Sequence, residues 1–523
     1  MPQTYRIHPA IGVARVGDSP DDYFIGPEAP GVLPSLNKPD AAPSLNGTYK
    51  DPQGRIKRQG ARFRIYEYTE DAAGRVTAVR EITSAEAQIE WEVHLANRKA
   101  AAPKFTSPGR RHEGQSESEL IIDAGPQRIS GANQAMQKLH GAFMQTMDVS
   151  LGDLLTDAAG RLIILGGHGQ SQSLPQSPLE NFADNDGWCD DVADGPVRAT
   201  VRLHDSAAPI AADSAWVIVA PPDFAPPIEN VVTLYDAVYN VMTRFDPQLA
   251  VSDAATVSFT KDIYPILRRV SQLHWVSRVA RTGHGEGTRL HFISRGLNRL
   301  SSNNPQDAGA RIRIFQALRK PQALRTQPDD VGGGMPKLPP LAEEKAPGAA
   351  LTETQYQRME RWALGAFDAD WPGAEPVPTP LDQLSEQDQP QALDRAALEA
   401  CVGGPFYPGI EASRDMLDET TYDNQRLFRI NANLPPGTLT ANMAVPWQAD
   451  FRDCRMDIAF GADWWPGQRP NQVQRGQERG AEWAPKSWEF IDMVEKWAQL
   501  GFVVAKTVGD KVEYVEDERS LTP

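Results

Sequence analysis

The N-terminal part of the chain alternates between apolar and polar residues in short runs separated by turns. Residues 62–68 read RFRIYEY and residues 76–82 alternate in the same way, with a turn at residues 71–74 between them. Further runs of strand type lie at residues 89–95, 161–165, 197–203 and 215–220. A period of two is typical of strands with one buried face, so the pattern predicts a β-rich N-terminal lobe.

The periodicity changes after Pro227. Apolar residues then recur at helical spacing in three segments, at residues 228–245, 263–277 and 351–367. The last of these begins with a capping box from Thr352 to Gln355. Residues 326–349 contain a Gly-Gly-Gly run and several prolines, which predicts a long loop or a junction between lobes. Helix is therefore expected to dominate the middle of the chain.

The last third of the chain shows little regular periodicity. Residues 368–391 are Pro-rich and polar, and few long periodic segments follow until residues 487–500, which are expected to form a helix before a hairpin built on Gly509 and Asp510. Such a region is more often a loop-built site than a folding core. We predict a multi-lobed α+β fold with a β-rich lobe over residues 1–227, a mainly helical region over residues 228–367, and a loop-rich, site-bearing region over residues 368–523.

The length and the net charge of the chain limit the classes of function that the protein can have. A chain of 523 residues exceeds the size at which one core stops growing, so it can bury a deep site. Its net charge of −16 is spread along the chain and opposes a nucleic-acid partner. Neither a long apolar run nor a basic-then-apolar leader is present, which predicts a cytoplasmic protein without a membrane partner, exported only by a non-classical route. The sequence leaves a homo-oligomer open.

The three cysteines, Cys189, Cys401 and Cys454, lie far apart and form neither a disulfide framework nor a zinc motif. Because their number is odd, at least one thiol stays unpaired within the chain. The histidines lack metal-binding spacing, and the calcium-like DNDGWCDD at residues 184–191 has Ala193 where a bidentate glutamate is required. We predict no metal site, an Asx turn at residues 184–191 and an inert Cys189.

Two stretches near the C-terminus stand out. Residues 400–413, ACVGGPFYPGIEAS, place Cys401 directly before a Gly-Gly turn whose backbone can approach another segment closely. Residues 444–470 contain Trp464 and Trp465 between Asp463 and Pro466. Taken alone, such a tryptophan pair indicates aromatic packing.

Taken together, the two stretches resemble the family of lysine ε-oxidase and glycine oxidase, the cysteine tryptophylquinone oxidases. Other segments resemble that family in its order: IHPAIGVARVG at residues 7–17, YFIGPE at 23–28, LGGHGQS at 165–171, NDGWCDDVADGPV at 185–197, WVIVAPPDFAP at 216–226, and residues 351–367. The resemblance therefore spans nearly the whole chain, although the chain is shorter than typical members.

The resemblance implies a cofactor made by the protein, in which the Cys401 sulfur is bonded to an oxidised indole of Trp464 or Trp465. The sequence does not decide between the two, and Trp447 is the weaker alternative. No ordinary side chain accepts two electrons, which is the physical reason for such a quinone. The resemblance also implies oxidation of an amine or amino acid by O2 to an oxo product, ammonia and hydrogen peroxide, and a flavoprotein partner for maturation.

The proton-transfer groups are the least certain part of the resemblance. Family members carry an aspartate about one helical turn before the cysteine, and this position is Ala397 here. Glu399 and Asp394 are the nearest substitutes, or else solvated charges on a helix surface. Asp463 and Glu411 are further candidates for direct roles.

Three residues are expected to line the substrate pocket. His168 lies in a Gly-Gly-His-Gly turn after a strand, where it either faces the pocket or bonds to the loop backbone. Phe406 and Tyr407 lie in the Cys401 motif. Asp450 and Asp453 flank the tryptophan pair at a greater distance along the chain.

Two other interpretations remain. Ala397 favours a catalytically silent relative that serves as a binding or accessory protein, whereas the intact Cys401 and the Trp464-Trp465 pair favour the oxidase. The third interpretation is an enzyme that uses the same fold to oxidise a larger substrate such as a peptide.

Overall fold

The computed structural model describes residues 3–39, 47–206, 208–252, 256–294, 296–327, 329–336, 350–404, 409–453, 457–458, 461–462, 467–509 and 511–520. The predictions for Phe406, Tyr407, Asp463, Trp464 and Trp465 lie outside these residues. Within the described ranges, no helix is long and apolar enough to cross a membrane.

The strands are concentrated before residue 221. They are β1 Gln3–His8, β2 Ile11–Arg15, β3 Tyr23–Ile25, β4 Arg58–Glu70, β5 Val76–Ile82, β6 Ala87–Val93, β7 Ala96–Asn97, β8 Ile122–Asp123, β9 Gln127–Ser130, β10 Gln137–Phe143, β11 Met147–Thr156, β12 Leu162–Gly166, β13 Gln172–Ser173, β14 Trp188–Cys189, β15 Ala193–Leu203, β16 Ile210–Ala211, β17 Ala215–Ala220, β18 Asp457–Ile458, β19 Gly461–Ala462, β20 Gln472–Arg475, β21 Glu478–Glu482, β22 Phe502–Val508 and β23 Lys511–Asp517.

Fifteen strands of the described N-terminal region form one large sheet, whose main path runs β10-β11-β12-β4-β2-β17-β15-β6-β9. Most neighbours are antiparallel, but β2 and β17 pair in parallel at the centre. Every residue of these two central strands is buried. This sheet confirms the predicted β-rich lobe and the α+β fold class.

The alternation in β4 does not produce an exposed polar face. Nearly all of this strand is buried, because its arginines pair with carboxylates of neighbouring segments. Arg62 and Arg64 both contact Glu28, and Arg64 also contacts Glu81. Ionic pairing therefore lets the polar side of the strand be covered.

All described α-helices except α1 follow the sheet in the chain. They are α1 Glu117–Leu120, α2 Leu234–Phe245, α3 Tyr264–Gln272, α4 Arg278–His284, α5 Leu297–Leu300, α6 Ala308–Gln316, α7 Glu353–Leu364, α8 Gln389–Glu399, α9 Trp447–Asp453 and α10 Phe490–Lys496. The predicted capping box of α7 is present, with Thr352 accepting from the Gln355 amide. The predicted C-terminal hairpin is formed by β22 and β23.

Two predicted helical boundaries were wrong. α2 begins at Leu234 rather than at residue 228, because Thr233 is extended and forms its own capping box with Asp236. α8 occupies part of a segment that was predicted to be irregular. A proline in its first turn is compatible with a helix start, and its apolar residues, such as Leu393 and Leu398, are buried. The boundaries predicted between the three regions stay a prediction.

Candidate active site

The parallel pair at the centre of the sheet brings two charged residues to one edge. Arg15 is the last residue of β2 and lies opposite Ala220, the last residue of β17. Pro221, Pro222 and Asp223 follow β17 directly. Because parallel strands end at the same edge, the Arg15 guanidinium and the Asp223 carboxylate come from adjacent strand ends.

Helix α8 brings Cys401 to this edge. The helix packs against β2, and the Cys401 amide donates to the Leu398 carbonyl at 3.2 Å. The Cys401 carbonyl accepts from the amide of Leu234, the first residue of α2, at 3.0 Å. A Cβ at Gly403 would lie 1.8 Å from the Thr233 carbonyl oxygen, so the close approach predicted for the Gly-Gly turn is present.

The guanidinium of Arg15 connects the cysteine to its surroundings. Its Nη2 lies 3.6 Å from the Cys401 sulfur and donates to the Ala400 carbonyl at 2.9 Å. Its Nη1 donates to the Pro221 carbonyl at 3.0 Å. Arg15 also forms an ion pair with Glu411, with 3.0 Å between Nη2 and Oε1. Arg15 thereby fixes the loop that carries the thiol.

Glu411 completes the buried cluster. Its side chain has no exposed surface, and its second oxygen accepts from the Val402 amide at 3.1 Å. Desolvation raises the pKa of Glu411 to about 7, although the Arg15 charge opposes the shift. Desolvation, followed by the Glu411 charge, raises the pKa of the Cys401 thiol. The thiol is therefore held protonated, and its hydrogen points to the Ala397 carbonyl at 3.3 Å.

A narrow cleft of about 30 Å³ opens beside this cluster. Its polar lining includes Arg15, Asp223, Tyr49 and Lys57, and Ala400 lies in its wall. Most other lining residues are apolar: Val16, Phe24, Pro27, Leu33, Pro34, Ile56, Pro222, Pro226 and Phe502. Such a lining excludes water while leaving a few polar groups to orient a small ligand.

The segment that follows the predicted tryptophan pair is fixed to the same loop. The Gly467 amide donates to the Asn230 side chain at 3.2 Å. The Phe224 amide donates to the Gln468 carbonyl at 2.9 Å. The Gln468 side chain also donates to the Pro221 carbonyl at 3.4 Å, which is the oxygen that Arg15 contacts. Residues 467–468 thus belong to the surroundings of Arg15.

Comparison with known proteins adds to this geometry. Residues 8–219 match the family model described as L-lysine epsilon oxidase N-terminal, and residues 333–474 match the L-lysine epsilon oxidase C-terminal domain. The L-lysine 6-oxidase of Marinomonas mediterranea is 30% identical over 548 aligned positions, covering 86% of this chain and 70% of the relative. The chain belongs to the L-lysine ε-oxidase family.

Solved structures show the same fold. The ε-lysine oxidase of Marinomonas mediterranea superposes with a TM-score of 0.78 at 24% identity, over 99% of this chain and 95% of the other. A second structure, described as a Schiff base intermediate of that enzyme with L-Lys, gives a TM-score of 0.76 at 23% identity and the same coverage. The predictions of the family, the fold class and an amino-acid oxidase are confirmed.

The two nearest substitutes for the family aspartate lie in ion-pair networks on α8. Glu399 is 8% exposed and pairs with Arg395 at 2.8 Å and with Arg269 at 3.5 Å. Asp394 accepts from the Ala10 amide at 2.5 Å and contacts the His8 ring at 2.9 Å. The alternative of solvated surface charges was therefore wrong, because both carboxylates are partly or fully buried and paired. Their roles in proton transfer stay predictions.

The turn of His168 faces the start of α9. The Gly169 and Gln170 amides donate to the Asp191 carboxylate at 2.7 and 3.2 Å, and the Gly169 carbonyl accepts from Gln448 at 3.0 Å. His168 itself is half-buried, and desolvation lowers its pKa. It is not among the described residues that line the cleft. Its contact with substrate stays a prediction.

Other predicted groups have structural partners. Asp184 accepts from the Phe105 and Thr106 amides of a distant segment, so it does not form the predicted Asx turn. The local contact of this type is at Asp190, whose carboxylate accepts from the Val192 amide at 3.2 Å. Asp450 pairs with Arg469 at 3.2 Å in the core. Among the described residues, no three His, Cys, Asp or Glu side chains form a group that could hold a metal ion. Cys454 and the side chain of Asp453 lie outside the described part of the chain.

Sequence reasoning missed Arg15 and Asp223. Both lie within segments that carry the family resemblance, at residues 7–17 and 216–226. A charged residue at the end of an otherwise apolar strand is the signal that could have indicated them, since such a residue at the carboxyl end of a central strand often faces a ligand site.

Proposed function

We propose that this chain oxidatively deaminates an amino acid or a primary amine with O2, giving an oxo product, ammonia and hydrogen peroxide. The electron acceptor is a quinone formed from Cys401 and either Trp464 or Trp465. The substrate amine enters through the cleft beside Arg15, Asp223 and Ala400. Membership of the L-lysine ε-oxidase family supports this reaction class.

One observation carries the proposal. Cys401 is a free, buried thiol held between the end of α8 and the guanidinium of Arg15, and both Arg15 and the adjacent Ala400 line a mostly apolar cleft. A buried thiol in an apolar core needs no cation beside it, because it behaves as a small hydrophobe. The charged shell of Arg15 and Glu411 fits a sulfur that takes part in chemistry.

The residues of the cluster fit a thioether-linked quinone. Cys401 supplies the sulfur, and Gln468, which follows the tryptophan pair closely in the sequence, is hydrogen-bonded to the loop of Pro221 and Phe224. When present, the quinone supplies an electron sink that no amino-acid side chain provides. Arg15 holds the loop of Cys401 in place, and Glu411 keeps that guanidinium fixed. The apolar walls keep water away from the reacting atoms.

L-Lysine is the first substrate to test, because the relatives of this chain are named for its oxidation. Glycine is the second, since the sequence resembles the wider family of lysine and glycine oxidases. Lys57 in the cleft offers a partner for the carboxylate of an amino acid.

Maturation is proposed to require a flavoprotein partner. The pKa of the Cys401 thiol is raised by burial, so the thiolate is scarce at neutral pH. Oxidation of an indole to a quinone needs an external oxidant. The flavoprotein is therefore expected to act on the folded or partly folded chain.

The test combines mass spectrometry with an activity assay. The chain is produced alone and together with a candidate flavoprotein partner, and the peptides bearing Cys401 and Trp464-Trp465 are analysed. Thioether formation removes two hydrogens, and oxidation of the indole to the quinone replaces two further hydrogens by two oxygens. The co-produced protein should therefore give one cross-linked peptide with this change in mass. It should also release peroxide from L-lysine or glycine, with equal amounts of ammonia.

A separate result would favour the catalytically silent relative. In that case the co-produced protein contains two unlinked, unoxidised peptides and releases no peroxide from any of the common amino acids or simple primary amines. The matched control is Cys401→Ser, which retains a polar side chain of similar size but cannot form the cross-link.

A further inference from the structure

Two carboxylates lie near the Arg15 guanidinium, which forms its ion pair with Glu411, and the two differ in what they can touch. The Glu411 side chain has no exposed surface and is enclosed by Arg15 and the Val402 amide. Asp223 is half-buried and forms part of the cleft wall. A ligand in the cleft can therefore contact Asp223 but cannot reach Glu411 without displacing Arg15.

Asp223 is also the only carboxylate among the described residues that line this cleft. Helix α8 offers no acid one turn before Cys401, where family members carry an aspartate. The residue there is Ala397, which has only a methyl side chain and whose carbonyl accepts from the Cys401 thiol. Glu399 and Asp394 are engaged by arginines and by the β1–β2 turn. A proton acceptor for a ligand in the cleft must thus come from Asp223 or from the segments outside the described residues.

The conformation of Asp223 is fixed. Its Oδ1 accepts from the Ala225 amide at 2.8 Å, and the preceding Pro222 lies in the cleft wall. A carboxylate with one oxygen bound to the backbone keeps its second oxygen in a constant direction. Such a preorganised base loses little entropy when a substrate C–H approaches.

The charges around Asp223 support a base that works near neutral pH. Desolvation raises its pKa above the usual aspartate value, and the positive charge of Arg15 limits the rise. Other titratable groups that face it are Cys401, Glu411, Tyr49 and Lys57. A carboxylate in a mostly apolar wall is a stronger base than one in water.

We propose that Asp223 is the catalytic base of the site, and that Glu411 is a positioning residue that acts through Arg15. This inference rests on the proposed function. Asp223 would accept the proton released when the C–H bond next to the substrate nitrogen breaks, and a quinone held through Cys401 would supply the electron sink for the electron pair of that bond. Oxygen later takes the two electrons and two protons and becomes hydrogen peroxide.

The test uses Asp223→Asn in the co-produced, cross-linked protein, with Asp21→Asn at an exposed site as the matched control. Three readouts are collected with L-lysine deuterated at C6 and with glycine deuterated at C2. These are the fraction of cross-linked peptide, the deuterium isotope effect on kcat, and the pH profile of kcat.

Asp223→Asn is expected to retain the cross-link, lose at least about a hundredfold in kcat, and lose the acidic inflection of the profile. Its isotope effect should reach or exceed that of wild type, since proton removal becomes fully rate-limiting. Glu411→Gln should keep the acidic inflection. Asp21→Asn should match wild type in all three readouts.

The assignment is overturned if cross-linked Asp223→Asn turns over within a few-fold of wild type with the same inflection. If this variant fails to form the cross-link, the Asp223→Glu variant is used to test the assignment of Asp223 as the base. A base that is longer by one methylene should lower kcat and shift the inflection, whereas an unchanged profile overturns the assignment. Absence of quinone and peroxide in wild type would instead contradict the proposed function.

Discussion

The structure contains two buried, free thiols that differ in their neighbours. Cys189 lies in the short strand β14, paired with Gln172 of β13, and Cys401 follows the last turn of α8. Both are almost completely buried, with 1% and 3% of their surface exposed. In both, desolvation raises the pKa of the thiol. Burial and pKa therefore do not separate a structural thiol from a reactive one.

The nearby cations distinguish Cys401 from Cys189. The Cys401 sulfur lies 3.6 Å from Arg15, which also reaches the wall of the cleft. Next to Cys189, the cation is Lys99, and its ammonium is bound by Asp190 at 2.5 Å with both side chains fully buried. The Asp190 carboxylate also accepts from the Trp447 amide. The charges around Cys189 thus hold segments together, whereas those around Cys401 border a site.

The largest effect is expected for Cys401→Ala. Removal of the sulfur should abolish the cross-linked peptide, quinone redox staining on a gel, and peroxide release, because no other side chain can form the thioether. The fold should remain, as judged by circular dichroism and elution volume. Staining that survives in this variant would contradict the assignment of Cys401.

Lys99→Met should lower the stability of the protein without changing its redox chemistry. Removing one partner of a buried ion pair leaves Asp190 uncompensated and should lower the free energy of unfolding by about 3–5 kcal/mol. Urea denaturation measures this loss. The molecules that fold should still carry the cross-link and turn over at the wild-type rate. A selective loss of kcat in folded, cross-linked protein would show that the Cys189 region also serves the reaction.

Glu411→Gln should change the pH dependence of stability. The pKa of Glu411 is raised from 4.5 to about 7 in the folded state. Folding therefore favours the protonated form of Glu411. The stability that this protonation contributes is complete below about pH 4.5 and is lost as the pH rises to about 7. Relative to Glu411→Gln, wild type should lose about 3 kcal/mol of unfolding free energy across this window.

Thermal unfolding of both proteins at several pH values measures the difference. Parallel curves for wild type and Glu411→Gln would contradict a protonation change at this residue. Asp191 also has a raised pKa of about 7, so the comparison must use the difference between the two proteins rather than either curve alone.

The smallest effect is expected for Cys189→Ala. Replacing one buried thiol by a methyl group should cost about 1 kcal/mol in the free energy of unfolding, through lost packing. Cross-linked peptide, redox staining and turnover should equal those of wild type. Loss of staining in fully folded Cys189→Ala would overturn the distinction between the two thiols.

The sequence alone determined the local elements and singled out the cysteine on which the proposed function rests. The alternating runs predicted β4, β5, β15 and β17, and the turn signals predicted the hairpin of β22 and β23. Hydrophobic period and capping depend on neighbours within a few residues, so they can be read directly along the chain. The choice of Cys401 over Cys189 came from the resemblance of its surrounding motif, not from periodicity.

Only the tertiary structure decided which charges surround Cys401. Arg15, Asp223, Cys401 and Glu411 are separated by up to 396 positions, the distance from Arg15 to Glu411. They meet because β2 and β17 pair in parallel at the centre of the sheet, and because α8 packs on β2. Strand pairing depends on the burial of whole surfaces against each other, and no local pattern encodes which partner a fully apolar strand will choose.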